Sequence, residues 1–223
     1  AAGAEGPRQG RHSQKMKLRG MSSFEVRGRW FHRASMSVQR LEVSTRADKD
    51  LGVALDYHVA LTAAKQLILA EADDDSFERR FRAALDSALS EQGLTAEGMG
   101  LRYKITFRHA LVAQTLATPN QPDLDAALRL WRQVKGIVSS VRGTNQFTFF
   151  HRAPASVHAE WRRLRSVYSQ VLVAAGRDGS ELSAKLDSLE AAAAARLRSL
   201  LELWNRQRMA AEERRQAAQG RPE

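Results

Sequence analysis

Apolar residues recur at three- and four-residue steps along most of the chain, a period that predicts helices. Leu51, Leu55, Val59 and the Leu67 to Leu69 group share a face of a helix expected from Leu51 to Ala72, largely buried. Phe77, Phe81, Leu85 and Leu89 predict a second helix, with Gly93 as its stop. A third is expected from about Tyr103 to Leu116, where Phe107, Ala110, Leu111 and Gln114 are spaced for one face. Thr118 to Pro122 break the pattern, and Leu124, Leu128, Trp131, Val134 and Val138 define a fourth helix, expected to pack antiparallel on the third. Ser139 to Pro154 is irregular, either extended or a loop that docks its phenylalanines. Beyond it, Ser156 is a cap for a helix with the apolar face Val157, Trp161, Leu164, Tyr168 and Val171, ending at Gly176.

The last element is expected from about Glu181 to Gln219, without proline or glycine and through the alanine run Ala191 to Ala195, which favours a helix. Leu182, Leu186, Leu189, Ala193, Leu197, Leu200 and Trp204 form a coiled-coil-like seam, and its five leucines with Trp204 are the candidate protein interface. Such a helix reaches about 60 Å. Either the whole seam takes a partner, or its first half packs on the body and the arginine-rich end, Arg206 to Arg215, projects. By contrast, Ser22 to Arg46 scatters Phe24, Val26, Trp30, Phe31, Met36, Val38 and Leu41 with no clean period, which reads as a connecting region with a helical turn or two. The expected fold is all-α: stacked helical hairpins, α-solenoid-like or an irregular bundle. Residues 1–46 form a basic extension and connecting segment, 47–176 a helical-hairpin domain, and 177–223 a long C-terminal helix.

Composition narrows the chemistry. With 223 residues the chain can bury a real core, but only 7% are aromatic, which implies thin helix contacts. The absence of cysteine excludes disulfides, thiolate metal sites and cysteine nucleophiles. No stretch approaches the roughly 18 to 20 apolar residues of a membrane span; the richest, Val53 to Ala72, is interrupted by Asp56, His58, Lys65 and Gln66. There is no phosphate-binding glycine loop, nucleophile elbow or zinc-protease motif, so no enzyme activity, cofactor or small-molecule substrate is inferred. The histidines, His12, His32, His58, His109, His151 and His158, are scattered without metal-ligand spacing, and His109 reads as exposed on a helix. Asp73 to Asp75 suit the start of the second helix, with Asp75 and Glu78 at capping-box spacing, better than they suit a cation.

The net charge of +10 is unevenly placed. Residues 1–46 carry ten Lys or Arg against three acids, whereas residues 47–100 carry five against eleven. Ala1 to Gly20 holds almost nothing that can enter a core, so a fixed position for it implies a negative partner, such as RNA phosphates, or neighbouring proteins. Candidate phosphate contacts are Arg8, Arg11, Lys15, Lys17, Arg19, Arg27, Arg29 and Arg33, with Trp30, Phe31 and His32 available to stack or to pack. A start at Ala-Ala followed by arginines is compatible with removal of an organelle transit peptide, although a trimmed chain looks the same.

The stretch Thr106 to Gly136 resembles one pentatricopeptide-type repeat. A Thr-aromatic start opens the first helix of that motif, and Ala127, Leu128, Trp131, Val134 and Gly136 match the pattern of the second. The resemblance implies stacked hairpins and an organelle setting with RNA binding or scaffolding, without a base code, since only one unit is recognisable. The expected function is a non-enzymatic structural subunit of a large mitochondrial assembly, in the matrix or on the matrix side of the inner membrane. A mitochondrial ribosomal protein that binds rRNA through its basic tail comes first. The alternative is an accessory subunit of ATP synthase or another respiratory complex.

Overall fold

The computed structural model describes residues 18–70, 77–109, 111–137 and 154–219. Arg8, Arg11, Lys15 and Lys17, the Asp73 to Asp75 run and the TNQFTFF stretch lie outside them.

The architecture is mixed α/β, not the all-α stack of hairpins that the spacing predicts. Five strands, β1 (Met21–Val26), β2 (Arg29–Val38), β3 (Leu41–Ser44), β4 (Arg102–His109) and β5 (Val112–Ala117), follow one another in a sheet of order β1-β2-β3-β4-β5. Among the described residues there are five helices: α1 (Leu51–Ala70), α2 (Phe77–Glu91), α3 (Leu124–Ile137), α4 (Pro154–Ala174) and α5 (Gly179–Gln219). The chain divides into two compact units, one of residues 1–36 with 44–101, the other of residues 37–43 with 102–223.

In the first unit, the segment expected to connect is a β-hairpin. Met21 pairs with Ala34, Phe24 with Phe31 and Val26 with Arg29, antiparallel throughout. The period of two is present in the residues, because Ala34, Met36 and Val38 are buried on one face while Arg29, Arg33 and Ser37 alternate onto the other. Phe24 and Phe31 sit on the outer face with the arginines, which blurs the apolar-in, polar-out signal. The turn is Arg27-Gly28, with φ of 51° and 76°. Both values are positive, as a two-residue hairpin loop that follows the strand twist requires, and Gly28 takes its place there without a Cβ clash. Past β3 the chain stays beside β2, where His32 and Asp48 exchange backbone hydrogen bonds of 2.7 and 2.8 Å.

The helices α1 and α2 form an antiparallel hairpin inserted between β3 and β4. The α2 face is the expected one: Phe77, Phe81, Leu85 and Leu89 are all buried. Gly93 (φ 63°) ends the helix, with the Leu94 N–H returning to Leu89 O at 2.9 Å. The α1 face differs. Its buried residues are Ala54, Tyr57, Ala60, Leu61, Ala64 and Ile68, whereas Val59, Leu67 and Leu69 are exposed. Alanines at helical spacing let the two backbones approach closely, and that contact outweighs the larger leucines. The neck of the insertion is closed by Arg46 N–H to Met99 O at 2.8 Å and by the Tyr57 hydroxyl, 3.4 Å from Gly98 O.

In the second unit, the expected third helix is instead the β4–β5 hairpin. Along RYKITFRH, Tyr103, Ile105, Phe107 and His109 are buried and the intervening residues face outward, a strict period of two that outweighs the helical spacing. Thr106 to Gly136 therefore contains the end of β4, then β5 and α3. Gln39-Arg40 (φ 46° and 75°) makes the β2–β3 turn with no glycine. Its carbonyls are both taken, Gln39 O by the Trp131 indole N–H at 2.8 Å and Arg40 O by the Thr106 N–H at 2.8 Å, which holds a turn that local preference alone disfavours. Asp123 caps α3 through Asp125 N–H at 2.9 Å, and Ala127, Leu128, Leu130, Trp131 and Val134 are buried. On α4, Val157, Trp161 and Leu164 are buried, and the ring of Tyr168 meets Phe107 edge-on at 5.5 Å.

Asp178 starts α5, accepting from the N–H groups of Ser180 and Glu181, each at 2.8 Å. Leu182, Leu186 and Ala193 are buried where α5 packs on α4 and β5. Leu189 and Trp204 are partly exposed, and Leu203 and Met209 are exposed. Leu197 and Leu200 lie on the same helix.

Candidate nucleic-acid interface

Cross-strand register decides which of the basic residues act together. In the β1–β2 ribbon the directly opposed pairs Phe24/Phe31, Ser22/Arg33 and Val26/Arg29 share the outer face, while Ser23/His32 and Glu25/Trp30 share the inner one. The outer face therefore carries Arg29 and Arg33 with two phenylalanines and no carboxylate from either strand. Its only acid, Glu25, points the other way. Arg27 is exposed at the turn, and Arg19 is exposed just before β1.

The rings of Phe24 and Phe31 are 6.1 Å apart at their centroids and 18° from parallel. The Arg33 guanidinium carbon lies 5.4 Å from the centre of Phe24, and the Lys49 Nζ lies 5.9 Å from the centre of Phe31. Both are cation–π contacts, which leave the positive charge unneutralised. Arg29, Arg33 and Lys49 have no carboxylate partner among the described residues, and Arg33 Nε has no hydrogen-bond partner there. A surface of this kind attracts anions and offers ring faces to stack on.

Arg29, Arg33 and the ring of Phe31, all expected from the sequence, come together on this face. The sequence also offered Trp30 and His32 for stacking, and these point inward, His32 Nδ1 sharing a 2.8 Å hydrogen bond with the Ser23 hydroxyl. Two contributors, Phe24 and Lys49, were missed. The alternation Phe24-x-Val26, then Arg29-x-Phe31-x-Arg33, is the signal that finds Phe24; Lys49 reaches the face only because the chain past β3 returns beside β2.

A second constellation lies in the other unit, and its residues were read differently from sequence. His109 is not exposed on a helix; it is buried on β4, with Nε2 3.7 Å from Glu160 Oε1 on α4. The Leu111 N–H donates to His109 Nδ1 at 3.2 Å, so the ring proton sits on Nε2, facing the carboxylate. The indole of Trp161 lies 5.2 Å from the imidazole. Burial pushes the Arg40 guanidinium below its ordinary pKa, and the charge of Glu160 opposes that. Nearby, Glu190 Oε1 accepts from the Trp161 indole at 2.7 Å and from Arg165 at 2.6 Å, and Arg165 also pairs with Asp187 at 2.7 Å. These groups tie α4 to β4 and α5: the His109–Glu160 contact is buried, whereas the Arg165 pairs with Asp187 and Glu190 lie at the surface.

Among the described residues no three His, Asp or Glu are grouped to hold a metal ion, and no helix is long and apolar enough to cross a membrane. No family model, no curated protein and no solved structure matches the chain.

Proposed function

We propose that this chain is a non-enzymatic structural subunit of a large mitochondrial assembly, the mitochondrial ribosome, anchored on rRNA by its amino-terminal basic segment. The observation that carries the reading is the outer face of the β1–β2 ribbon, where Arg29, Arg33 and Lys49 stand beside two phenylalanine rings without a carboxylate partner among the described residues. It continues the basic run of residues 1–46, ten Lys or Arg against three acids. Neutralising RNA phosphates with such a segment releases counterions, so affinity falls steeply with salt. The 41-residue α5, with Leu203 and Met209 exposed beyond the part packed on α4, adds a surface for neighbouring protein subunits.

A second reading, an accessory subunit of ATP synthase or another respiratory complex, is favoured by a different observation. Val59, Leu67 and Leu69 are exposed on α1, within the acidic stretch 47–100, which suits a protein neighbour and not RNA. Sedimentation of gently lysed mitochondria, with and without ribonuclease, separates the two. Co-migration with a ribosomal subunit that is lost after ribonuclease supports the first. Migration with a membrane complex that ignores ribonuclease supports the second, and absence from mitochondria removes both.

A further inference from the structure

We infer that the outer face of the β1–β2 ribbon binds single-stranded RNA by stacking two unpaired bases on Phe24 and Phe31, an inference that rests on the RNA-anchored reading above and names the form of RNA it takes. Phe24 and Phe31 are a directly opposed cross-strand pair, so the ribbon fixes their spacing. A centroid separation of 6.1 Å exceeds the roughly 3.5 Å at which carbon atoms touch, so the near-parallel rings are displaced and neither hides the other completely. Both side chains remain partly exposed on a face whose neighbours are serine, valine and arginine.

Burial in a core is the ordinary use of two adjacent phenylalanines, and the inner face of the same ribbon provides that core with Ala34, Met36 and Val38. Placing the rings on the opposite face, among cations, gives a surface that suits a ligand offering both ring faces and negative charge. Single-stranded RNA has this chemistry, since every base has a π-face and every nucleotide a phosphate. A duplex stacks its base faces away and offers phosphates, 2′-hydroxyls and base edges but no ring face to stack on. Arg33 and Lys49 are held by cation–π contact, with no carboxylate partner among the described residues, and Arg29 is exposed. A base approaching either ring displaces a cation that then meets the flanking phosphate.

The test uses the full chain, with fluorescein-labelled decauridine as the single strand and an RNA duplex of equal length, titrated by fluorescence anisotropy over a range of salt. The double substitution Phe24→Leu/Phe31→Leu keeps apolar bulk on the ribbon and removes the ring faces. Affinity for decauridine should fall about tenfold or more, with duplex affinity unchanged. Arg29→Gln should weaken both and flatten the salt dependence. If the wild-type chain binds decauridine and the leucine pair binds it equally well, stacking is overturned while RNA anchoring survives. If the wild-type chain binds neither RNA, both readings fall together. Should the leucine pair fail to fold by circular dichroism, photo-crosslinking of iodouridine-substituted decauridine to the wild-type chain decides: adducts at Phe24 or Phe31 support the platform, and adducts confined elsewhere overturn it.

Discussion

Leu186→Ala tests whether the long helix α5 is part of the fold along its first turns and an arm along the rest. Leu186 is 1% exposed, on the seam between α5 and α4, flanked by the buried Leu182 and Ala193. Truncating such a leucine removes its transfer free energy and leaves a cavity that the surroundings fill only partly, which costs roughly 2–5 kcal/mol. In a domain of this size each kcal/mol lowers Tm by about 2–4 °C, so a central cost of about 3 kcal/mol corresponds to a fall of roughly 6–12 °C. The matched control is Met209→Ala on the same helix, where the side chain is 53% exposed. A surface change of that kind stays within about 0.5 kcal/mol, or roughly 2 °C. The assay is a thermal melt followed by far-ultraviolet circular dichroism at two protein concentrations tenfold apart. Equal shifts for the two variants would refute the division of the helix into a packed half and a projecting half. A Met209→Ala shift that grows at the higher concentration would show the projecting half paired with a second copy of the chain.

Two further perturbations probe the second unit. Glu160→Gln keeps the shape of a side chain that is 8% exposed but removes the charge facing His109 and the half-buried Arg40; chemical denaturation should register a loss of about 1 kcal/mol, discounted for the solvent that still reaches Arg40, and an unchanged midpoint would contradict the assigned network. The hydrogen bond from Arg165 holds the Asp187 carboxyl below the usual carboxylate range, and a depressed folded pKa contributes stability above the unfolded value that is lost as pH falls through the folded one; Asp187→Asn should therefore flatten the acid limb of a stability profile below about pH 4, and identical limbs in the two proteins would dismiss the pair as a contributor.

Helix assignments were legible wherever one period dominated. The Phe77, Phe81, Leu85, Leu89 face of α2 and the Leu128, Trp131, Val134 face of α3 depend only on local spacing, and both are buried. The sheet was not legible, for three separable reasons. In β1–β2 the outer face carries phenylalanines, so polarity does not alternate although geometry does. In β4, residues such as Phe107 satisfy a helical spacing and a strand spacing together, and the aromatic and β-branched content of RYKITFRH should have decided for the strand. At Gln39-Arg40 the turn lacks the usual asparagine or glycine, because tertiary hydrogen bonds from Trp131 and Thr106 hold it. The candidate interface was half legible for the same reason: the basic residues from Arg8 to Arg33 pointed to the segment, of which Arg8 to Lys17 lie outside the described residues, but only the register of the hairpin separates Phe31 from Trp30. His109 was misread because its exposure depended on the wrong element.

The α1–α2 insertion has a kinetic meaning. Strands β3 and β4 are neighbours in the sheet, yet the chain between them travels through two helices before it returns. Closing a flexible loop of that length would be entropically costly and slow. The helical hairpin makes local contacts first, and the hydrogen bond between Arg46 and Met99 brings the two ends of the excursion side by side. Once that pair has formed, β4 lies next to β3 without a long search, so folding is expected to run from the insertion outward to the sheet, with substitutions in the α1–α2 contact slowing folding more than those in β4–β5.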